Sequence, residues 1–556
     1  MKGLLTLLLL YICGLTQAQY TKYIFEFTDK KGSSYSLSNP GDFLSQESID
    51  RKNRYNIKID STDLPVSNIY LDSIKNAGKV DIINTSKWLN QVLISTTDEA
   101  AIVKITQFPF VKRRVPLSSK PSRIKTDKIH ENIQGLSTEE KAVEAFENVI
   151  NYGNTSTQVK IHEGDFLHDK GFLGKGMKIA VFDGGFLRYQ TNVAFDSLRR
   201  NGQIKMTWDF VARNSSVNED NYHGAYCLSI LAANLPGTYV GTAPQASYYL
   251  FRTEDVGSEY PIEEQYWIAA AEMADSIGVD MISSSLGYST FDDASLNHRY
   301  ENLNGKTTLI TRAASIAAQK GILVMTSAGN EGTSEWKYIA APADAEGVLS
   351  VGAVNINKEV AGFSSYGPTY DGRIKPEIAS VGWSTYLINS LGRVIRSDGT
   401  SYSTPNIAGL IACLWQAFPE FSSKEIIEIV KKSADRFTTP DVRTGYGLPN
   451  MRLAYEALTR ERENKKMKLL LKSERIKVYP TPFRNYFTIL YSPQSTGKLE
   501  IQLFTLDGRW IRNRSFEVRE NELYSFTLDD LGSLSSGNYL LKYRDTEGEG
   551  IIRLLK

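Results

Sequence analysis

The chain has 556 residues, 41% of them hydrophobic and 23% charged, which is the composition of a soluble globular protein. Its length exceeds that of one ordinary domain and predicts about three or four. The formal net charge of +1 provides no bulk attraction to nucleic acid or to an anionic membrane surface, so neither is expected as a partner.

The first 18 residues have the pattern of a secretory signal peptide. Lys2 supplies a positive start, an apolar run follows over 4–12, and Ala18 ends a small-residue cleavage site. The apolar run is shorter than the ~20 residues that span a membrane. A lipoprotein signal would modify Cys13, which the bulky Ile12 before it disfavours. We therefore predict export, with cleavage after Ala18.

Two cysteines remain after the signal, Cys227 and Cys413. Both lie in apolar helical patterns, where a buried free thiol is the usual state. We therefore favour two core thiols over a disulfide bridge. No group of Cys and His has the spacing of a zinc site, so the sequence does not support a metal hydrolase, and no metal ligand is assigned.

Residues 19–115 predict a small α/β domain. The expected strands are 23–27, 79–84 and 88–95, the expected helices are 66–75 and 98–107, and a last strand opens at 110–111. Residues 116–155 are rich in Lys, Ser and Glu and predict an exposed linker, in which Ser137 opens one charged helix through a capping box. A protease is expected to cut in such a segment.

Residues 156–460 alternate between apolar strands and helices. The expected strands include 178–182, 281–285 and 322–326, and the expected helices include 263–277 and 308–320, each closed by a glycine. This order predicts a parallel sheet with helices on both faces, in which a ligand binds outside the carboxyl ends of the strands.

The last part of the chain changes character again. A segment rich in Lys, Arg and Glu predicts a linker over 461–475. Short alternating runs separated by turns follow over 476–556 and predict a small all-β sandwich.

Asp183 and His223 are candidates for acid–base chemistry. Asp183 ends the first strand of the parallel sheet, where a carboxylate is suited to orient an imidazole, although Asp before Gly is also an ordinary turn signal. The chain has five histidines, and a general base near neutral pH is most often His. His223 stands at the start of a small apolar helix, a place where a single His is more often structural.

Ser401 and Asn330 are candidates for the nucleophile and for an oxyanion donor. Ser401 opens an apolar helix after Gly399, where free amide hydrogens and the helix dipole favour developing negative charge. A capped core helix is the alternative. Asn330 follows the strand 322–326 and is suited to donate its amide to an oxyanion, with a polar turn as the alternative.

Together these segments resemble the subtilases, a family of serine proteases. The resemblance rests on seven segments in the family's order: 179–185, 223–224, 283–287, 327–332, 363–367, 375–377 and 399–405. It implies an α/β fold in which helices sandwich a subtilisin-like parallel sheet. The chain departs from the family pattern beside the key residues, at Ala225-Tyr226, Tyr402-Ser403 and Asn406, which bears on subsite preference.

The resemblance implies one catalytic role for each candidate. Ser401 attacks the peptide carbonyl, His223 acts as general base and then as general acid, Asp183 holds the imidazole, and Asn330 binds the oxyanion. Catalysis of this kind requires no cofactor. Many subtilases bind a structural calcium ion, for which no ligand set is identified in this sequence.

The resemblance also implies residues that bind the substrate. Ser285, Leu286 and Gly287 are expected to pair with an extended peptide, and Ala328 and Gly329 complete the expected substrate-binding set. The expected substrates are proteins or peptides, and the enzyme is expected to be a monomer.

The two ends of the chain carry further resemblances. Residues 19–115 occupy the place of a subtilase propeptide, which assists folding and covers the active site until it is cleaved. Three C-terminal segments, at 478–483, 531–539 and 552–556, resemble the sorting domain of type IX secretion. This implies transport by the type IX machinery and a secreted or outer-surface location. A generic substrate-binding sandwich is the alternative.

Two other functions compete with an endopeptidase. A secreted pseudoprotease or adhesin would keep the fold for binding, but it has no need of all four catalytic residues. A serine esterase of the α/β-hydrolase kind would have a Gly-x-Ser-x-Gly elbow, which is absent around Ser401.

Overall fold

The structure is a computed structural model that describes residues 21–118, 150–218, 221–472 and 474–556. The predicted signal peptide and the predicted helix at Ser137 lie outside these residues. The chain divides into two compact units, with the boundary between Ala454 and Tyr455. None of the helices in the described ranges is both long and apolar enough to cross a membrane.

The first domain is a four-stranded antiparallel sheet with helices. Its elements are β1 (Lys22–Phe27), α1 (Gln46–Arg54), α2 (Asn68–Lys75), β2 (Asp81–Ser86), β3 (Gln91–Ser95), α3 (Glu99–Thr106) and β4 (Val111–Ser118). The strand order is β2-β3-β1-β4. Two features differ from the sequence prediction: β4 continues through the basic stretch 112–114, and α1 is a helix that the periodicity did not indicate.

The second domain carries the parallel sheet. Its strands are β5 (Lys178–Asp183), β6 (Ile204–Asp209), β7 (Asn234–Leu235), β8 (Tyr239–Val240), β9 (Ser247–Arg252), β10 (Met281–Ser284), β11 (Leu323–Ser327), β12 (Leu349–Val354), β13 (Ile378–Val381), β14 (Thr385–Ile388) and β15 (Val394–Ser397). Its helices are α4 (Ser156–Lys160), α5 (Gly164–Asp169), α6 (Asp196–Arg200), α7 (His223–Ala232), α8 (Ile262–Ser276), α9 (Leu309–Gln319), α10 (Thr400–Ala417) and α11 (Ser423–Lys432).

Seven of these strands form one parallel sheet in the order β13-β12-β11-β10-β5-β9-β6. Helices α7 and α10 pack together against the sheet, and α8 packs against α9. Because helices cover the sheet, its central strands are buried along nearly their whole length rather than at alternating residues. The predicted fold class is confirmed.

The core between the sheet and α8 explains why this helix has a fixed position. Trp267 of α8 is fully buried, and its indole N–H donates to Ser284 Oγ at 2.9 Å. Its ring lies edge-on to Phe182 of β5, with 5.5 Å between the ring centroids. A buried indole with its hydrogen bond satisfied anchors a helix strongly, since it combines a large apolar area with one paired donor.

The linker predicted over 461–475 is largely helical. Helix α12 runs over Met451–Leu471, because this stretch contains Arg, Glu, Lys, Leu and Ala, which favour helices, and no Gly or Pro. The predicted linker is therefore a helix over most of its length.

The C-terminal unit contains two antiparallel sheets. Its strands are β16 (Ile476–Tyr479), β17 (Phe487–Tyr491), β18 (Gly497–Thr505), β19 (Trp510–Val518), β20 (Tyr524–Leu528), β21 (Asn538–Asp545) and β22 (Gly548–Leu555). The sheet orders are β16-β17-β20 and β19-β18-β21-β22. Apolar residues from both sheets form one core, which confirms the predicted all-β character.

Candidate active site

The predicted catalytic residues meet in one cavity of about 660 Å³ at the carboxyl end of the parallel sheet. Asp183 ends β5, Ser285 follows β10, Asn330 follows β11, and Ser401 lies in the first turn of α10, with His223 completing the group. Crossover connections place helices on the faces of a parallel sheet, so loops at its carboxyl edge are left to build the site.

Asp183 and His223 form a buried hydrogen-bonded pair. His223 Nδ1 lies 2.8 Å from Asp183 Oδ1, and the backbone N–H of Gly184 donates to the same oxygen at 2.8 Å. Both side chains are almost completely buried. The carboxylate therefore holds the imidazole with Nδ1 as donor, which leaves Nε2 as the nitrogen that can accept a proton.

The pKa of His223 lies well above its ordinary value. Burial by itself lowers it, because a desolvated site disfavours the imidazolium. The charge of Asp183, followed by the neighbouring Cys227 and the hydrogen bond to the Asp183 carboxylate, outweighs burial and raises this pKa. The site therefore stabilises the imidazolium that forms when His223 takes a proton.

Ser401 is held close to Ser285 at the start of α10. Its hydroxyl donates to the carbonyl oxygen of Ser285 at 3.2 Å, and Ser285 Oγ donates back to the Ser401 carbonyl at 2.8 Å. A hydroxyl has one hydrogen, so Ser401 must rotate away from Ser285 before it can donate to His223. Its backbone N–H belongs to the first turn of the helix, where N–H groups have no partner within the helix.

The amide of Asn330 is oriented by Thr400. Both the backbone N–H and the hydroxyl of Thr400 donate to Asn330 Oδ1, each at 2.9 Å. With Oδ1 occupied, the Nδ2 group is the donor left to face the cavity. A Cβ at Gly399 would stand 3.7 Å from Nδ2, so the glycine keeps the space beside the amide open.

The predicted substrate-binding residues divide into two groups. Ser285, Leu286, Gly287 and Gly329 line the cavity. Ala328 does not: its side chain is fully buried, its N–H donates to Val351, and its carbonyl accepts from Ala340. Ala328 therefore lies behind the residues that line the cavity, and its backbone N–H and carbonyl are both hydrogen-bonded within the domain.

Cys227 lies directly beside the Asp183–His223 pair, a proximity that the sequence analysis did not predict. His223 and Cys227 are four residues apart on α7 and so share one face of the helix, with Cys227 Sγ 3.9 Å from His223 Nδ1. Burial raises the pKa of this thiol. Both Cys227 and Cys413 are free and buried, as predicted.

Within the described residues, Asp183, His223 and Cys227 also form the one group of acidic, His and Cys side chains close enough to share a metal ion. Its nitrogen and sulfur donors do not suit calcium, which takes oxygen ligands. The group therefore offers no place for the structural calcium ion that the resemblance implied.

Several cavity residues were not predicted from the sequence. Thr400 orients Asn330, and Glu254, Glu259, Phe363 and Asp398 line the cavity. Phe363 is the first residue of the recognised segment 363–367, so the sequence did contain a signal that could have identified it. The two glutamates come from the loop after β9 and carried no motif, so only the fold could bring them to the cavity.

Comparison with known protein families matches three parts of the chain. Residues 174–448 match the subtilase family, residues 22–133 match the peptidase S8 propeptide domain of Bacteroidota, and residues 477–556 match a secretion system C-terminal sorting domain. The subtilase match, residues 174–448, contains all the residues that line the cavity described above.

Known proteins similar to this chain include three bacterial proteases. Serine protease AprX of Bacillus subtilis is 29% identical over 297 residues, 48% of this chain and 63% of that protein. A thermostable alkaline protease of Halalkalibacterium halodurans is 27% identical over 276 residues, 50% of this chain and 66% of that protein. Thermitase of Thermoactinomyces vulgaris is 29% identical over 293 residues, 51% of this chain and 89% of that protein.

The chain thus spans less than two thirds of the length of the first two relatives. Domain order, sheet topology and the contents of the cavity nevertheless lead to one conclusion: residues 174–448 are a domain of the subtilase family, with a peptidase S8 propeptide domain before it and a secretion sorting domain after it.

Proposed function

We propose that this protein is an exported serine endopeptidase that hydrolyses proteins or peptides through an acyl-enzyme. The single observation that carries the proposal is the cavity that holds the Asp183–His223 pair, Ser401 and the oriented Asn330 amide together. The sorting domain and the propeptide domain indicate export to the cell surface or the medium. The protein is proposed to act as a monomer, without a cofactor in the reaction.

The proposed reaction begins with attack of Ser401 Oγ on the peptide carbonyl carbon. His223 Nε2 takes the hydroxyl proton, and Asp183 stabilises the imidazolium. The carbonyl oxygen becomes an oxyanion, which the Nδ2 group of Asn330 and the backbone N–H of Ser401 bind. His223 then gives its proton to the leaving amine, the C–N bond breaks, and an acyl-enzyme remains. Water hydrolyses the ester with His223 again as base.

The backbone of 285–287 supports an extended substrate. This segment follows β10 and lines the cavity, with Gly287 exposed. A peptide that lies alongside it as an added strand would place its carbonyl between Ser401 and Asn330. Main-chain pairing of this kind accepts many sequences, which suits a protease that acts on unfolded or extended segments of proteins.

The test combines labelling with cleavage. Secreted wild-type protein and Ser401→Ala are treated with a serine-directed phosphonate and, separately, with casein. We expect the wild type to be labelled at Ser401 and to cleave casein, and the variant to do neither. Ser215→Ala, which removes an exposed hydroxyl that does not line the cavity, is the matched control and is expected to behave as the wild type.

Two results would overturn the proposal. If the mature wild type, freed of residues 19–115, neither binds the phosphonate nor cleaves any protein, the chain is a binding protein with the fold of a protease. If it is labelled and hydrolyses esters but no peptide bond, it is an esterase.

A further inference from the structure

Among the contacts of the propeptide domain with the subtilase domain, two involve buried carboxylates of α8. In the first, Glu272 of α8 accepts the backbone N–H groups of Lys87 and Trp88 at 2.8 and 3.0 Å, which fixes the turn between β2 and β3. The second is made by residues 36–63, which contain α1 and lie between β1 and α2 in the chain. We call residues 36–63 the arm.

The arm covers the ends of two helices of the subtilase domain. Helices α8 and α9 are each followed by a glycine of positive φ, Gly278 and Gly321. A Cβ on Gly278 would stand 2.5 Å from Glu47 Cβ, and a Cβ on Gly321 would stand 2.6 Å from Ile57 Cδ1. Both glycines therefore end a helix and also leave the space that the arm fills.

Asp275 of α8 is the centre of the first charge cluster under the arm. Arg51 and Lys52 of α1 both pair with Asp275 Oδ1, Lys52 at 2.8 Å, and Lys87 lies 3.6 Å from Oδ2. Arg51 also donates to the carbonyl of Val279. Asp275 and Lys52 are fully buried. A carboxylate of the subtilase domain is thus neutralised by cations that the propeptide domain supplies.

Lys320, at the end of α9, makes the reciprocal arrangement. Its ammonium group lies 2.7 Å from Asp63 and 3.1 Å from Asp60, both in the arm. Asp63 is fully buried and also pairs with Lys52 at 3.3 Å. Each of the two domains therefore supplies both a carboxylate and a cation to this contact. Removal of the arm would leave Asp275 and Lys320 without these partners.

The arm sits at the end of the sheet opposite the catalytic residues. Gly278 and Gly321 come just before β10 and β11 begin, whereas Asp183, Ser285 and Asn330 come where strands end. A strand of six residues is roughly 20 Å long. Changes in the arm contact can therefore be made without touching the catalytic cavity.

We propose that the arm is a second docking element, which keeps the propeptide bound to the subtilase domain after the chain between them is cut. The inference rests on the proposed maturation by cleavage between the two domains. Residues 21–118 then leave only when the buried charge pairs separate. Substitution of Asp275 or Lys320 is expected to weaken this contact, because removing one partner of a buried pair leaves the other charge desolvated and alone.

The test uses the full chain as an inactive Ser401→Ala protein, with a recognition sequence for an added protease placed within residues 120–148. After complete cutting, the dissociation rate of the propeptide is measured by size-exclusion chromatography over time. We expect the cut propeptide to co-elute with the rest of the protein. Asp275→Asn and Lys320→Met are each expected to speed its release about 100-fold.

Arg213→Ala is the matched control. Arg213 pairs with Asp81 of the propeptide domain across the same two domains, but both side chains are about half exposed. An exposed pair contributes little, so release should change by less than about threefold. The proposal is overturned if the wild-type propeptide leaves at once after cutting, or if every folded cluster variant releases it at the rate of Arg213→Ala.

The release rates of the two cluster variants, Asp275→Asn and Lys320→Met, are interpreted separately, and only for a variant that thermal unfolding shows to be folded. A third variant, Lys52→Met, changes only the propeptide side and keeps the subtilase domain unaltered. Because binding is measured in a protein without the catalytic hydroxyl, a failed activity assay would contradict the proposed function and leave this result unaffected.

Discussion

The two ends of the parallel sheet use polar side chains in opposite ways. At the carboxyl end, Asn330 and Ser401 line an open cavity next to the Asp183–His223 pair. At the amino end, Asp275 is covered by the arm and surrounded by its cations. Both ends contain ionisable groups that are largely or fully buried, so burial alone does not distinguish catalysis from binding.

The two ends differ in how many of the polar atoms of each group already have a hydrogen-bond or ion-pair partner within the protein. Asn330 Oδ1 accepts two hydrogen bonds from Thr400, which leaves the Nδ2 group to donate into the cavity. Asp275 has cations near both carboxylate oxygens, and Lys320 has two carboxylates. A group that is oriented but not saturated can bind a transition state, whereas a saturated group can only hold its partner.

Loss of the base should give the largest effect at the catalytic end. For His223→Ala we expect kcat to fall by about 10⁶-fold, a size taken from a subtilisin, because no other group can take the proton of Ser401. The measurement is hydrolysis of a chromogenic peptide by the mature enzyme. His298→Gln removes an imidazole that pairs with Glu264 instead and should keep most of the activity. Equal losses in the two variants would contradict the assignment.

Loss of the oxyanion donor should give the next largest effect. For Asn330→Ala we expect kcat to fall by about 10²–10³-fold with little change in KM, again a size known from a subtilisin. The donor acts on charge that exists only in the transition state, so binding of the substrate is spared. A rise in KM with unchanged kcat would assign Asn330 to substrate binding.

Thr400 tests whether orientation of the amide matters by itself. For Thr400→Val we expect kcat to fall by about tenfold, because one of the two hydrogen bonds to Asn330 Oδ1 is lost and the backbone bond remains. In an Asn330→Ala background the same change should have almost no effect. Additive losses would show that Thr400 does not act through Asn330 but through other contacts, such as the Gly329 N–H that donates to its hydroxyl at 3.2 Å.

The pH dependence follows from the raised pKa of His223. The base must be neutral to take a proton, so kcat/KM should fall about tenfold per pH unit below this pKa. Because the pKa lies above the ordinary 6.5, the acid limb of the profile should lie above pH 6.5. In Asp183→Asn the limb should move to lower pH while the maximum falls. A wild-type limb below pH 6.5 would contradict the stabilised imidazolium.

Much of the fold could be predicted because local signals agree with it. The central strands are short apolar runs, and glycines end α8 and α9 where the sequence places them. Predicted and observed bounds differ by at most one residue at each end of these elements. The helix α1 was missed because its charged residues, Arg51 and Lys52, suggest solvent, and their partner Asp275 lies more than 200 residues away.

The sequence by itself determined which chemistry the chain can carry. Asp183, His223, Asn330 and Ser401 each stand at the end of a strand or the start of a helix, and periodicity and glycine positions reveal these places locally. Only the tertiary structure decided which donor each polar group meets: Thr400 at the Asn330 amide, Cys227 beside His223, and the arm over the far end of the sheet. Such pairings depend on packing between segments distant in the chain, and no local preference of a residue records them.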